Sequence, residues 1–155
     1  MPAFRYDGEV TLSDTVVDAP GANAGTATAG ALHVLPTPVR IYDSRPGTSP
    51  NIGSKTPLAA NTARTLDVSL NNSKVPHGAT AALVTILLVN TAAGSGNFTA
   101  WANGAARPLS NSMVWGGTSG RFSSTAVSAL DSLSKLQVQS SLQTDVVIDV
   151  VGYYR

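Results

Sequence analysis

Cysteine is missing from this chain of 155 residues, so no disulfide framework, thiolate nucleophile or cysteine-based zinc site is open to it. Charge is scarce as well. Only 12% of the residues are ionic, ten basic against nine acidic, and they are scattered singly. Without a Lys/Arg run the chain has no electrostatic grip on nucleic acid or anionic lipid, and neither is expected as a partner. Long apolar runs are absent too. The longest, AALVTILLV at 81–89, is too short to cross a bilayer as a helix. The start, MPAFRYDGEV, carries Asp7 and Glu9 and no apolar h-region, which reads as no secretory signal and a mature chain beginning near Met1. Helix-favouring Glu, Lys and Gln are few, and no segment keeps a 3.6-residue period.

What is present points to β structure. Ser, Thr, Val, Ala and Gly dominate, and fourteen Gly and nine Pro punctuate the chain at short intervals. Residues 1–30 hold one possible strand, Gly8 to Ser13, followed by a small-residue stretch from Asp18 to Gly30 with no side chain large enough to anchor a core. They read as an extended N-terminal arm, whose reach when stretched is on the order of 100 Å. Residues 31–155 read as a compact body of short strands: 31–35, 39–43, 62–70, 80–90, 97–103, 110–115, 121–130, 135–140 and 145–154. Strands at this spacing predict an antiparallel β-sandwich, jelly-roll-like in kind. The uniformly apolar 80–90 and 145–154 are expected at the centre, covered on both faces. The alternating 65–70 and 135–139 are expected half-solvated, as outer strands.

The densest polar stretch is RIYDSRPG, Arg40 to Gly47. Strand alternation puts Val39, Ile41 and Asp43 on one face and Arg40 and Tyr42 on the other. Arg45-Pro46-Gly47 then turns, with the pre-proline arginine extended and Gly47 free to take positive φ. Asp43 is placed to accept backbone N–H groups of that turn. Asp149 sits among Val147, Ile148, Val150 and Val151, where an unpartnered carboxylate is costly. A bidentate Arg45–Asp149 pair is therefore expected to tie the first core strand to the last, with Asp43, Arg45, Gly47 and Asp149 forming a structural clasp. A catalytic reading would draw on Ser44, His77 and Asp43. It is disfavoured, because adjacent strand residues face opposite ways and no Gly-x-Ser-x-Gly elbow occurs. Asp43, Asp145 and Asp149 could supply oxygen ligands to calcium, but no Asp-x-Asp-x-Asp loop accompanies them, and neither a metal nor a cofactor is expected.

The aromatic residues leave two roles open. In the stretch 97–103, Phe98 and Ala100 share one face while Thr99 and Trp101 share the other. Trp101 is then either an exposed platform for a glycan, beside Asn103, or a plug of the sandwich or of a subunit interface. Trp115 carries the same ambiguity.

Several ordered segments together resemble one family: PVRIYDSRPG (38–47), VPHGATAALVTILLVNT (75–91), GNFTAWANGAARPLSNSMVW (96–115) and TDVVIDVVGYY (144–154). They are similar to the repeated β-domains of actinobacterial cell-surface and secreted proteins, and to modules in structural proteins of the phages that infect those bacteria. The resemblance spans residues 36–154. The family's more usual first motif has Thr where this chain has Ser44. The resemblance implies a β-sandwich adhesion or structural module with no catalytic residues to carry over. A single copy with an arm fits a virion accessory protein, a capsid decoration or cement subunit on the capsid surface. Its expected partners are the major capsid protein or other virion subunits and further copies of itself, a trimer being the guess. The alternative is a cell-wall or glycan-binding module of a surface protein, with a host surface glycan as partner.

Overall fold

The computed structural model describes residues 30–117 and 120–155. The chain divides into two units, Met1–Gly30 and Ala31–Arg155. The strand expected at 8–13 and the arm expected over 1–30 fall, apart from Gly30, outside the described residues.

Eight strands build the second unit, and no helix occurs among the described residues: β1 (Leu32–Asp43), β2 (Arg64–Asp67), β3 (Ala81–Val89), β4 (Gly96–Ala102), β5 (Met113–Trp115), β6 (Phe122–Ala129), β7 (Lys135–Ser140) and β8 (Asp145–Tyr154). They form two four-stranded antiparallel sheets, in the orders β1-β8-β3-β6 and β2-β7-β4-β5. The protein is an all-β antiparallel sandwich. First pairs with last in a nested series, β1 with β8, β2 with β7, β3 with β6 and β4 with β5. That is the order of one long hairpin wound into two layers.

The core lies between the sheets. Ile41, Tyr42, Val84, Ile86, Leu88, Ile148 and Val150 from the first sheet meet Leu66, Phe98, Met113, Trp115, Leu136 and Val138 from the second. Each buried aliphatic side chain contributes about 1.5–3 kcal/mol of apolar burial, so this layer holds the two sheets together.

Three sequence expectations change. The separate strands at 31–35 and 39–43 are one strand, β1, that continues through Pro36 and Pro38. Proline removes a ladder donor, and β1 absorbs both because it is an edge strand that bulges between Val34 and Val39. The apolar β3 and β8 are the inner pair of their sheet, as expected, but β3 is not covered on both faces: Leu83, Thr85 and Leu87 are only half-buried. The uniform apolarity instead reflects an outer sheet face that is itself apolar. β7 alternates as expected, with Leu136 and Val138 buried and its other face half-solvated, but it lies inside its sheet, between β2 and β4, and not at its edge.

Candidate functional site

The RIYDSRPG stretch closes β1 and opens the long connection to β2. A second bulge decides its geometry. Arg40 pairs with Asp149 and Tyr42 with Ile148, so Ile41 is the extra residue. The predicted alternation breaks there. Ile41 and Tyr42 both enter the core, while Arg40 and Asp43, opposite Asp149 and Val147, share the outer face.

The expected Arg45–Asp149 pair is not formed. Arg40 takes that carboxylate, with Nε donating to Oδ1 at 2.8 Å and Nη2 to Oδ2 at 3.1 Å. The Asp149 hydrogen bond holds the Arg40 guanidinium above its usual range, against some desolvation. Arg45 turns back on Asp43, with Nε at 3.0 Å from Oδ1 and Nη2 at 2.7 Å from Oδ2, and its own N–H also donates to Oδ1 at 3.1 Å. The physical reason is register: the ladder sets Arg40 directly opposite Asp149, and the turn keeps Arg45 within reach of the residue two positions before it. Burial opposes ionisation of Asp43, but the Arg45 hydrogen bonds outweigh it and hold the carboxyl below the usual range. Gly47 takes φ of 72°, a left-handed conformation that suits glycine.

Ser44 is fully buried. Its hydroxyl donates to Asp145 Oδ1 at 2.7 Å and accepts the Val146 N–H at 2.9 Å, pinning the start of β8. Asn90 donates to the other Asp145 oxygen at 3.0 Å. Three residues that sequence reasoning missed finish the clasp. Lys55 Nζ donates to the carbonyl oxygens of Asp43 at 2.7 Å, Thr48 at 3.1 Å and Pro50, which uses all three ammonium donors on the loop backbone. The Tyr42 hydroxyl donates to the Ser54 carbonyl and accepts from Arg64 Nη1 at 2.8 Å. Arg64 also donates to the Thr56 and Pro57 carbonyls at 2.8 and 3.1 Å. Burial pushes the Tyr42 phenol up, with Arg64 pulling the other way. No local signal marks Lys55 or Arg64, because their targets are carbonyls of a loop whose path the sequence does not reveal.

The carboxylates considered for calcium are thus separately occupied: Asp43 by Arg45, Asp145 by Ser44 and Asn90, Asp149 by Arg40. Among the described residues no three His, Cys, Asp or Glu side chains gather as a metal site. His33 is exposed, its ring stacked on Tyr153 at 4.9 Å, and His77 lies exposed in its turn. A cleft of about 270 Å³ opens between β1 and β2, walled by Ile41, Tyr42, Ile52, Leu66 and Leu70 with Lys135 at its side.

Trp101 lies opposite in face to Phe98, as alternation requires, and the structure makes that face the outer one: Trp101 pairs with Gln137 and stands outside the core between the sheets. Yet it is only 7% exposed, and its indole N–H donates to the Ala105 carbonyl at 3.0 Å. The turn that follows β4 folds over the ring, so it is neither an open platform nor a plug of the sandwich. Asn103 beside it donates to Asp131 at 2.8 Å and meets Thr65 at 3.2 Å. Trp115 belongs to the core, stacked on Phe122 at 6.0 Å, and its indole N–H has no partner among the described residues.

No family model matches the chain, and no curated protein matches it. No helix among the described residues is long and apolar enough to cross a membrane.

Proposed function

We propose that this chain is a structural protein of a bacteriophage particle, a capsid decoration or accessory subunit that cements neighbouring capsid subunits. The observation that carries the reading is the use made of the clasp. Its arginines, lysine, serine and aspartates are bonded to one another and to the backbone, so the densest polar cluster serves to hold a loop. A non-enzymatic role accords with that use, and with the resemblance to modules that include phage structural proteins. The nested strand order supports a jelly-roll winding. In this reading residues 1–30 contact neighbouring subunits, the sandwich supplies the rigid body, and many weak copies act together through avidity.

Mass spectrometry of purified particles tests the proposal. The chain is expected at a fixed stoichiometry to the major capsid protein, and deletion of residues 1–30 is expected to abolish its incorporation. Particles that lack the chain overturn the reading, and full loading of the truncated protein removes the role given to residues 1–30. The glycan-binding alternative has less to draw on, because Trp101 and Trp115 are both buried and neither ring is a stacking platform. Titration with isolated cell-wall polysaccharide is expected to leave tryptophan emission unchanged.

A further inference from the structure

A sandwich of two open sheets has four edge strands, and three of them here are blunted. β1 carries Pro36 and Pro38, two bulges and Arg40. β2 is four residues long and ends in charge at Arg64 and Asp67. β5 is three residues long. The fourth, β6, is different. It runs FSSTAVSA for eight residues, with no proline, glycine or charge, and it pairs with β3 in eight consecutive steps without a register shift. Among the described residues no backbone group pairs with its far side. Long, flat, uncharged edges are the ones that recruit another strand, and soluble proteins ordinarily disable them.

The identity of the recruit follows from the ends of the strand. Arg121 precedes β6 and Asp131 follows it closely. The Arg121 side chain is exposed and makes no hydrogen bond or ion pair among the described residues. The Asp131 carboxylate is held in the following turn by Asn103 and by the N–H groups of Leu133 and Lys135, all neutral donors, so it keeps its negative charge. Parallel pairing of two such strands would set like charges at the same end, whereas antiparallel pairing sets each Arg121 at the end that Asp131 makes negative. Alternation fixes the rest. Ser123, Thr125, Val127 and Ala129 are exposed on the outer face, and that face must meet its like. With Ala126 on the axis, Thr125 lies opposite the second copy's Val127, and Arg121 comes beside the end of the second copy's strand, where the turn holding Asp131 begins. The outer face beyond is apolar and neutral. Val34, Gly152, Leu83 and Val127 lie in one row across the sheet, Leu32, Tyr154, Ala81 and Ala129 in the next, and Arg40 and Asp149 cancel each other in a third.

We propose that two copies of the chain join edge to edge by antiparallel β6–β6 pairing about a twofold axis, so that two four-stranded sheets become one. The interface is isologous and closes on itself, which favours a dimer as the building unit over the expected trimer. The pairing stands apart from the virion reading and is testable on the free protein.

Sedimentation and light scattering of the full chain across the micromolar to submillimolar range are expected to show a concentration-dependent species of twice the 15.8 kDa chain mass. Hydrogen exchange is expected to show β6 amides that become protected as that species forms. Thr125→Lys with Val127→Lys changes two exposed side chains and sets lysine against lysine across the axis. It is expected to weaken association by at least about tenfold while the far-UV spectrum and melting of the dilute monomer are kept. Arg121→Asp is expected to weaken it several-fold, and less so in high salt. A chain that stays monomeric throughout the range overturns the proposal. So does a dimer that the lysine pair leaves intact, or β6 amides protected equally at all concentrations, which would mean that something other than a second copy covers the edge.

Discussion

Arg40 and Asp149 meet through two hydrogen bonds, at 2.8 and 3.1 Å, directly opposite each other on the outer face of the β1–β8 ladder, just ahead of the bulge at Ile41. The same bulge places Asp43 on that face, where Arg45 covers it. One inserted residue thus puts the Arg45–Asp43 pair on the same face as the Arg40–Asp149 pair. It also lets Ile41 and Tyr42, neighbours in sequence, both reach the core.

A pair of double-mutant cycles separates the two arginines. Arg40→Ala with Asp149→Ala is expected to give a coupling of about 0.5 kcal/mol, because the pair is partly exposed and screened, and to lose part of it in high salt. Arg45→Ala with Asp149→Ala is expected to give none. A larger coupling for Arg45 would place the clasp back across the sheet.

Asp43 predicts an acid limb of stability. Its folded carboxyl titrates below the ordinary value, so the stabilisation is fully present above the unfolded pKa near 4 and is lost as pH falls through the lower folded value. Asp43→Asn is expected to cost about 2 kcal/mol at neutral pH, as the charged partner of Arg45 disappears. Urea melts of the two proteins are expected to converge below pH 4. A deficit that stays constant with pH would contradict the role given to ionised Asp43.

Lys55 is expected to act as a loop fastener. Lys55→Met keeps the length of the side chain but leaves three carbonyl oxygens without their shared donor, at a cost of about 2 kcal/mol. Limited proteolysis is expected to shift to the segment between Ser44 and Ser54 while the ladder between β3 and β8 stays protected. Unchanged proteolysis and melting would show that Tyr42 and Arg64 hold the loop without it.

Gly96 is expected to resist even alanine. A Cβ there would stand 2.2 Å from Trp115 Cζ2, so the indole must leave its place against Phe122. Gly96→Ala is expected to destabilise by roughly 1–3 kcal/mol, as overpacked core sites do, and to red-shift tryptophan emission. A neutral substitution would mean that the ring has room to move.

The sequence by itself determined the class of fold and most of its strands. Alternation in KLQVQS and unbroken apolarity in DVVIDVVGYY place β7 and β8 at their observed bounds, because the period of a strand is written in its own residues. It also put Trp101 on the face opposite Phe98, but did not decide which of the two faces is the outer one. Tertiary structure decided the rest. The bulge at Ile41 is a property of how β1 meets β8, and no local pattern in RIYDSRPG encodes which arginine will lie level with Asp149. The covering of Trp101 by the turn at Ala105, and the grip of Lys55 on three carbonyls, depend on loop paths that only the packed sheets fix. Which sheet edges end blunted and which ends bare is likewise a matter of strand order, since β6 is an edge because the order β1-β8-β3-β6 ends on it.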